Sequence, residues 1–468
     1  MNASARSDDP AAPACVWRRV EGLADLTRLH RYAPRRYTHL LESVAHGPPQ
    51  ARYDILFAFP GDRLLLQPNG QVIFNDLLQT GDFLDVFDRQ WRNAQVPDQT
   101  VPFPFHGGWF VFLAYEFARF IEPALTSMPG VDKGPVAMAV RFPAAVIHDH
   151  EDESTFLLCE AQHSELLDQM QIDWRQASTA SFDPDPGLSI TKIDEEDPAL
   201  YRKRFARTLD FIQAGDTYQV NLSRAWRIQL EQALPAIAIY ERLRQANPAP
   251  FAGFMSLEND RAVISSSPER LVSVRHGSVN TRPIAGTHPR SSDANEDHAL
   301  AQALVGSPKE RAEHVMLVDL ERNDLGRLCR AGTVHADETL QVESYRHVHH
   351  IVSAISGELN PGVTPGQVVR AVFPGGTITG CPKLRTMQII AELEGAARGA
   401  YTGSMGYINR DGSLDLNILI RTLVQDGKDL ELRAGGGIVA DSKVERELNE
   451  TRTKAKGMLA ALGITDGT

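Results

Sequence analysis

Long apolar runs are missing from this chain. No stretch approaches the eighteen or so residues that cross a bilayer, so no membrane partner is expected. Cysteine is scarce: Cys15, Cys159, Cys329 and Cys381 are the only four in 468 residues. They are scattered without a CxxC pair, which excludes a disulfide scaffold and a thiolate zinc site. Positive charge is not in excess either. There are 48 Lys and Arg against 60 Asp and Glu, a formal net charge of −12, which argues against a nucleic-acid partner. Nucleophile and nucleotide signatures are absent, with no GxSxG, HExxH, GxxxxGK[ST] or GxGxxG. The pair Gly380-Cys381 is followed by proline and lacks the glycine pattern of a glutaminase elbow, so Cys381 reads as a small buried residue. Residues 1–14 are rich in Ala, Ser, Asp and Pro and lack the apolar core of a signal peptide. A mobile tail on a soluble, cytoplasmic protein is the expectation.

Apolar residues make up 42% and charged residues 23%, which permits a large packed core. Two Asp-Pro pairs and a glycine interrupt Ser178–Gly187, and the main boundary is expected there. An N-terminal region, 15–185, would precede a larger one, 190–465. Asn69-Gly70, Asp411-Gly412 and Asp426-Gly427 each lie between strand-like residues and predict two-residue hairpins. After Asp197, a candidate N-cap with Pro198 at the first helical position, Tyr201, Phe205, Leu209 and Ile212 recur at helical spacing until Gly215. Hairpins and helices mixed in this way predict an α+β fold.

Two acidic pairs stand out. Glu310 and Glu313, and then Glu447 and Glu450, sit at Glu-x-x-Glu spacing in helical stretches, with Lys454 four residues beyond Glu450. That spacing puts both carboxylates on one helix face. Two such helices facing each other would supply oxygen ligands for Mg²⁺, whereas either pair alone reads as a solvated face. Gly435, Gly436 and Gly437 read as following a strand, where successive N–H groups could converge on an anion; Phe373–Thr377 offers a second such place. A tight turn is the plain alternative for both. Arg421 follows an expected strand, Leu416–Ile420, and could fork onto a carboxylate or lie on the surface, while Tyr401 opens the strand before it. His347, His349 and His350 lack zinc-ligand spacing, although one could act as a general acid or base.

Together these segments resemble the chorismate-using enzymes, the group of anthranilate, aminodeoxychorismate, isochorismate and salicylate synthases. The resemblance runs in order over about residues 195–460 through YQVNLSR, SSSPERL, RPIAGT, KERAEHVMLVDLERNDLGR, HHIVS, FPGGTITGCPKLR, YTGSMGY, IRT and GGGIVADS through ETRTKA. LLES, RYDILFAFP and FHGGWFVFLAYE extend it more loosely toward the N-terminus. It implies two large antiparallel sheets packed as a sandwich with helices outside and the substrate in a cleft. It further implies Glu313 and Glu450 as Mg²⁺ ligands with Glu310 and Glu447 in support. The enolpyruvyl carboxylate of chorismate and its surroundings would fall to Tyr401, Arg421, the Gly435–Gly437 backbone and Lys454, with Thr377 also at the substrate. Glu269 would protonate the departing C4 hydroxyl, and His350 would lie near the ring.

The resemblance also points to a reaction. Isochorismate and salicylate synthases carry a lysine base where this chain has Gln219, so ammonia is the expected nucleophile. Many aminodeoxychorismate synthases carry PIKGT, whose lysine attacks chorismate; here Ala285 stands in PIAGT, ahead of Thr287, as is usual in anthranilate synthases. LLES is similar to the tryptophan-sensing segment of the latter. NPAPFAGFM, FPGGTITGCPKLR and RYDILFAFP are more similar to aminodeoxychorismate synthases, a subclass of which has PIAGT and works without the covalent lysine. The expectation is amination of chorismate to 4-amino-4-deoxychorismate through 2-amino-2-deoxyisochorismate, with anthranilate synthesis as the alternative. Ammonia would come from a separate glutamine amidotransferase subunit.

Overall fold

The computed structural model describes residues 14–23, 25–45, 51–98, 101–182, 187–291, 293–344 and 348–465. Two twelve-stranded antiparallel sheets pack face to face with helices on the outside, as expected. All three turn dipeptides lie in hairpins, but only the third has a two-residue loop, Gly427-Lys428; five residues separate Leu66 from Val72 and five separate Ile408 from Leu414. Leu64 pairs with Phe74 across Asn69-Gly70, Ile408 with Leu414 across Asp411-Gly412, and Asp426 with Asp429 around Gly427. The glycines supply the positive φ those turns need, +86°, +90° and +60° at Gly70, Gly412 and Gly427. The helix Pro198–Gln213 begins as the sequence indicates, with the Asp197 side chain accepting from the Ala199 N–H.

In the first sheet the strand Tyr37–Glu42 pairs with Phe251–Leu257; in the second, Gly108–Leu113 pairs with Ser404–Asn409. Strands from before and after the Asp-Pro segment are thus joined in both sheets. The inner faces meet in an aromatic core of Phe57, Phe105, Phe110, Phe142, Met255 and Met405. On the outer face of the first sheet lie the helices Leu166–Thr179, Ala236–Ala246 and Val444–Ala461, and Lys383–Glu394 packs against its strand Gln219–Leu230; Phe83–Ala94 and Pro365–Val372 cover the second. With both faces covered, strands read as unbroken apolar runs: all six residues of Gly108–Leu113 are buried. Among the described residues no helix is long and apolar enough to cross a membrane.

Candidate active site

The site gathers around the strand Asp429–Ile438. Here one expectation is corrected. Gly435, Gly436 and Gly437 do not follow a strand as an anion nest; they lie within this one, opposite Ser223, Leu222 and Asn221 of the strand Gln219–Leu230, and none has a positive φ. Their value is room. A Cβ at Gly435 would sit 2.7 Å from the Leu222 carbonyl oxygen and 2.8 Å from the Tyr401 hydroxyl, and one at Gly437 would sit 2.5 Å from Gln219 Nε2. On the other side of the strand, a Cβ at Gly436 would be 3.4 Å from both Glu447 Oε2 and Glu450 Oε1.

Those two carboxylates come from the C-terminal helix, Val444–Ala461, at the predicted Glu-x-x-Glu spacing. Glu447 is buried, and Glu450 is half-buried and lies 2.8 Å from Lys454 Nζ. The same ammonium donates to the Gly435 carbonyl at 3.0 Å. The negative charge of Glu447 and Glu450 helps burial push the Tyr201 hydroxyl well up. Two carboxylates beside a side-chain-free strand are hard oxygen donors of the kind Mg²⁺ takes. Glu313 is half-buried on the helix Pro308–Gly326, next to His314, whose Nε2 bonds Ser353 Oγ. Among the described residues no group of three acids or histidines closes into a metal cage by itself.

The opposite wall is a buried ion-pair network. Arg398 bonds both Glu394 oxygens, at 3.0 and 2.7 Å, and Arg433 reaches Glu394 Oε2 at 3.2 Å. The Arg398 guanidinium also donates to the Asn221 carbonyl at 2.7 Å and the Ile378 carbonyl at 3.2 Å, and lies 5.6 Å from the centre of the Tyr401 ring. One cation thereby positions three segments that face the glycines. Its two arginines hold Glu394 down at about 2 despite complete burial. Sequence reasoning missed this network: Glu394 and Arg398 are an i,i+4 pair at a helix end, indistinguishable in sequence from a surface pair.

Tyr401 precedes the strand Ser404–Asn409, in a turn, and does not open it. The expected strand Leu416–Ile420 ends at Asn417, because Leu419 N bonds the Gly403 carbonyl and Ile420 N the Ile418 carbonyl. The turn leaves Arg421 half-buried at φ +52°. A left-handed non-glycine residue costs roughly 1–2 kcal/mol, which the surrounding bonds must hold.

Glu269 is buried, and among the described residues its Oε1 has no hydrogen-bond partner. Burial pushes its carboxyl up to about 7, opposed by the Thr377 hydroxyl, the Ile284 backbone N–H, and the charges of Lys454 and Arg421. Arg421 is in turn lowered by burial and raised by Glu269. Glu269, Arg421, Lys454 and Thr377 therefore share one electrostatic environment. In the Phe373–Thr377 segment the Gly376 N–H is directed at Glu321 Oε1, 3.4 Å away on the helix Pro308–Gly326. Burial pushes Glu321 up to about 7 as well. The short strand Gly380–Cys381 joins this wall to Gln219 and Val220; a Cβ at Gly380 would lie 2.0 Å from the Gln219 carbonyl oxygen, so only glycine fits. Cys381 is half-buried, less enclosed than expected.

Ala285 and Thr287 lie on the strand Ile284–Pro289, where Thr287 pairs with His350 and Ala285 with Ile351 of the strand Val348–Glu358. The side chains of Ala285, Thr287, His350 and Glu310 lie outside the described part of the structure, as does His347 altogether. His349 is buried, with Nε2 at 3.0 Å from Asp297.

Residues 49–460 match the family described as chorismate binding enzyme. An aminodeoxychorismate synthase component 1 of Bacillus subtilis is 39% identical over 461 residues, covering 94% of this chain and 95% of that one. An anthranilate synthase component I-like protein of Synechocystis is 43% identical over 360 residues, 77% of this chain and 73% of its own length. The crystal structure of anthranilate synthase component I from Streptococcus pneumoniae superposes with a TM-score of 0.77 at 31% identity, covering 88% of this chain and 93% of that one. With a family match over nearly its whole length and relatives of this similarity, the chain belongs to the chorismate-binding enzymes.

Proposed function

We propose that this chain aminates chorismate to 4-amino-4-deoxychorismate, on the route to 4-aminobenzoate and folate. The observation that carries the reading is Glu269, a buried carboxyl pushed up to about 7 beside Arg421 and Lys454. It keeps its proton near neutral pH and can give it to the departing C4 hydroxyl, while the two cations offset the charge of a dianionic substrate. Arg421, Tyr401 and Lys454 take the enolpyruvyl carboxylate, and the glycine strand lets it approach the backbone.

Magnesium fits the same site. Glu450 and Glu313 would hold it, supported by Glu447 and Glu310, and when bound it would fix the ring carboxylate and neutralise its charge. Alanine at 285 gives no nucleophile, so ammonia itself attacks C2 as the C4 hydroxyl leaves as water, and a second ammonia then adds at C4 as the C2–N bond breaks and the first nitrogen leaves as ammonia. Gln219 stands where a water-activating base would be needed, and an amide cannot serve as one. The nearly full-length similarity to the Bacillus subtilis aminodeoxychorismate synthase component 1 supports this choice of product, as do NPAPF and FPGGTITGCPKLR. Anthranilate synthesis is the second reading, favoured by PIAGT and by LLES, whose Leu41, Glu42 and Ser43 line a cavity of about 510 Å³.

Ammonia is to be delivered by a separate glutamine amidotransferase. With chorismate and Mg²⁺, ammonium should support turnover by the chain alone, and glutamine only after such a subunit is added. Glutamine-dependent turnover by the isolated chain would contradict the partner.

A further inference from the structure

The strand Gln219–Leu230 carries two acceptors that no described residue uses. Gln219 and Asn221 are two residues apart, so both side chains leave the same face of the strand. Both are more than nine-tenths buried, at 6% and 7% exposure. Yet among the described residues Gln219 Oε1 and Asn221 Oδ1 have no hydrogen-bond partner. Leaving such an atom unsatisfied costs about 1–3 kcal/mol, so two of them on one face of a strand call for an explanation.

Their surroundings supply one. Asn221 Oδ1 lies 2.9 Å from where a Cβ of Gly435 would be, in the same small space that the Tyr401 hydroxyl borders at 2.8 Å. The rest of Asn221 is tied down: its N–H donates to the Thr379 carbonyl at 2.8 Å, its carbonyl accepts from Arg398 at 2.7 Å, and its Nδ2 points at the Thr377 carbonyl, 3.5 Å away. A ligand here would be small and would have to donate.

Resting on the amination reading above, we propose that Gln219 and Asn221 form the binding site for the ammonia nucleophile. Two of its N–H bonds are accepted by Gln219 Oε1 and Asn221 Oδ1, which turns the lone pair away from the strand and toward the substrate ring. The lone pair forms the new C–N bond at C2, the ring π electrons shift toward C4, and the C4–O bond breaks. Glu269 gives its proton to the departing oxygen, which leaves as water. The nitrogen is then positively charged, and the two amide oxygens hold it more strongly than they held neutral ammonia. Glu269, now a carboxylate, takes the surplus proton, which restores both the amine and the acid. Amide oxygens accept hydrogen bonds but do not take protons, so the pair holds ammonia without activating water.

The test is steady-state kinetics on the full chain with saturating chorismate and Mg²⁺ and varied ammonium, alongside chorismate titrations and thermal melts. Asn221→Leu and Gln219→Leu should each raise the KM for ammonium about 5- to 10-fold, the loss of one hydrogen bond. The KM for chorismate should stay within about two-fold, a split that structural damage alone would not give. The melts identify any variant that has lost its fold, and the other position then decides. An unchanged ammonium KM in the folded leucine variants, or a chorismate KM that rises in parallel with it, overturns the assignment. If the wild type makes anthranilate from ammonium, the aminodeoxychorismate reading fails and this site stands; if it consumes no ammonium, both fail.

Discussion

The Lys454 ammonium and the Gly435 carbonyl oxygen are 3.0 Å apart, which ties the C-terminal helix to the middle of the glycine strand. Glu450 lies 2.8 Å from the same nitrogen, so the lysine spans the boundary between the acidic side of the site and the anion side. Replacing it with methionine keeps the aliphatic stem and removes the charge. Lys454→Met should raise the KM for chorismate by about ten-fold or more, the loss of a charge-assisted contact of about 1.5–3 kcal/mol. The ion pair is 40% exposed at the lysine, so thermal stability should change by less than about 1 kcal/mol. Isothermal titration and a melting curve read the two effects separately.

Glu269 sets the alkaline limb of activity. Its carboxyl is raised to about 7, and it acts as an acid, so the active form is the protonated one. Turnover should therefore be lost as pH rises through about 7, provided the assay holds ammonia constant. Glu269→Gln should bind chorismate normally and lose at least about 100-fold in kcat, the usual contribution of a general acid. A variant with wild-type turnover would remove Glu269 from this role.

Stability in acid should report Glu394. Its folded value of about 2 lies below the ordinary value of 4.5, so its contribution is complete above 4.5 and is lost as pH falls from there toward 2. Glu394→Gln leaves Arg398 and Arg433 buried with their carboxylate gone, and should cost about 3–5 kcal/mol at neutral pH. The mutant should also lose that part of the acid dependence, which denaturant titrations at several pH values would show.

Magnesium dependence should track the carboxylates that converge over Gly436. Chelation should stop chorismate consumption, and added Mg²⁺ should restore it. Glu450→Gln should raise the Mg²⁺ concentration for half-maximal activity by about ten-fold or more, in the range found when the surroundings of a metal site are altered. Glu447→Gln should act in the same direction. Equal Mg²⁺ requirements in wild type and both variants would place the metal elsewhere.

Much of this site was legible because its chemistry leaves local marks. Asn69-Gly70, Asp411-Gly412 and Asp426-Gly427 announce their hairpins because only a few residues accept the turn. Glu447 and Glu450 announce a shared helix face by spacing alone. Gly435–Gly437 were misread because three residues without side chains carry no strand periodicity, and their partners lie more than 200 positions away, at Asn221 to Ser223. The Leu416–Ile420 run looks like one strand, yet backbone bonds to Gly403 and Ile418 turn it before Arg421. Asn221 was legible only as part of YQVNLSR, with no role of its own. An asparagine in an apolar strand reads as a defect until its free oxygen is seen facing the glycines.

The most direct measurement is the identity of the product. Purified chain is incubated with chorismate, Mg²⁺ and ammonium, and the products are separated by mass and fluorescence, with and without an added aminodeoxychorismate lyase. The account predicts 4-amino-4-deoxychorismate from the chain alone, and 4-aminobenzoate only when the lyase is present. Anthranilate and pyruvate formed without the lyase would contradict it.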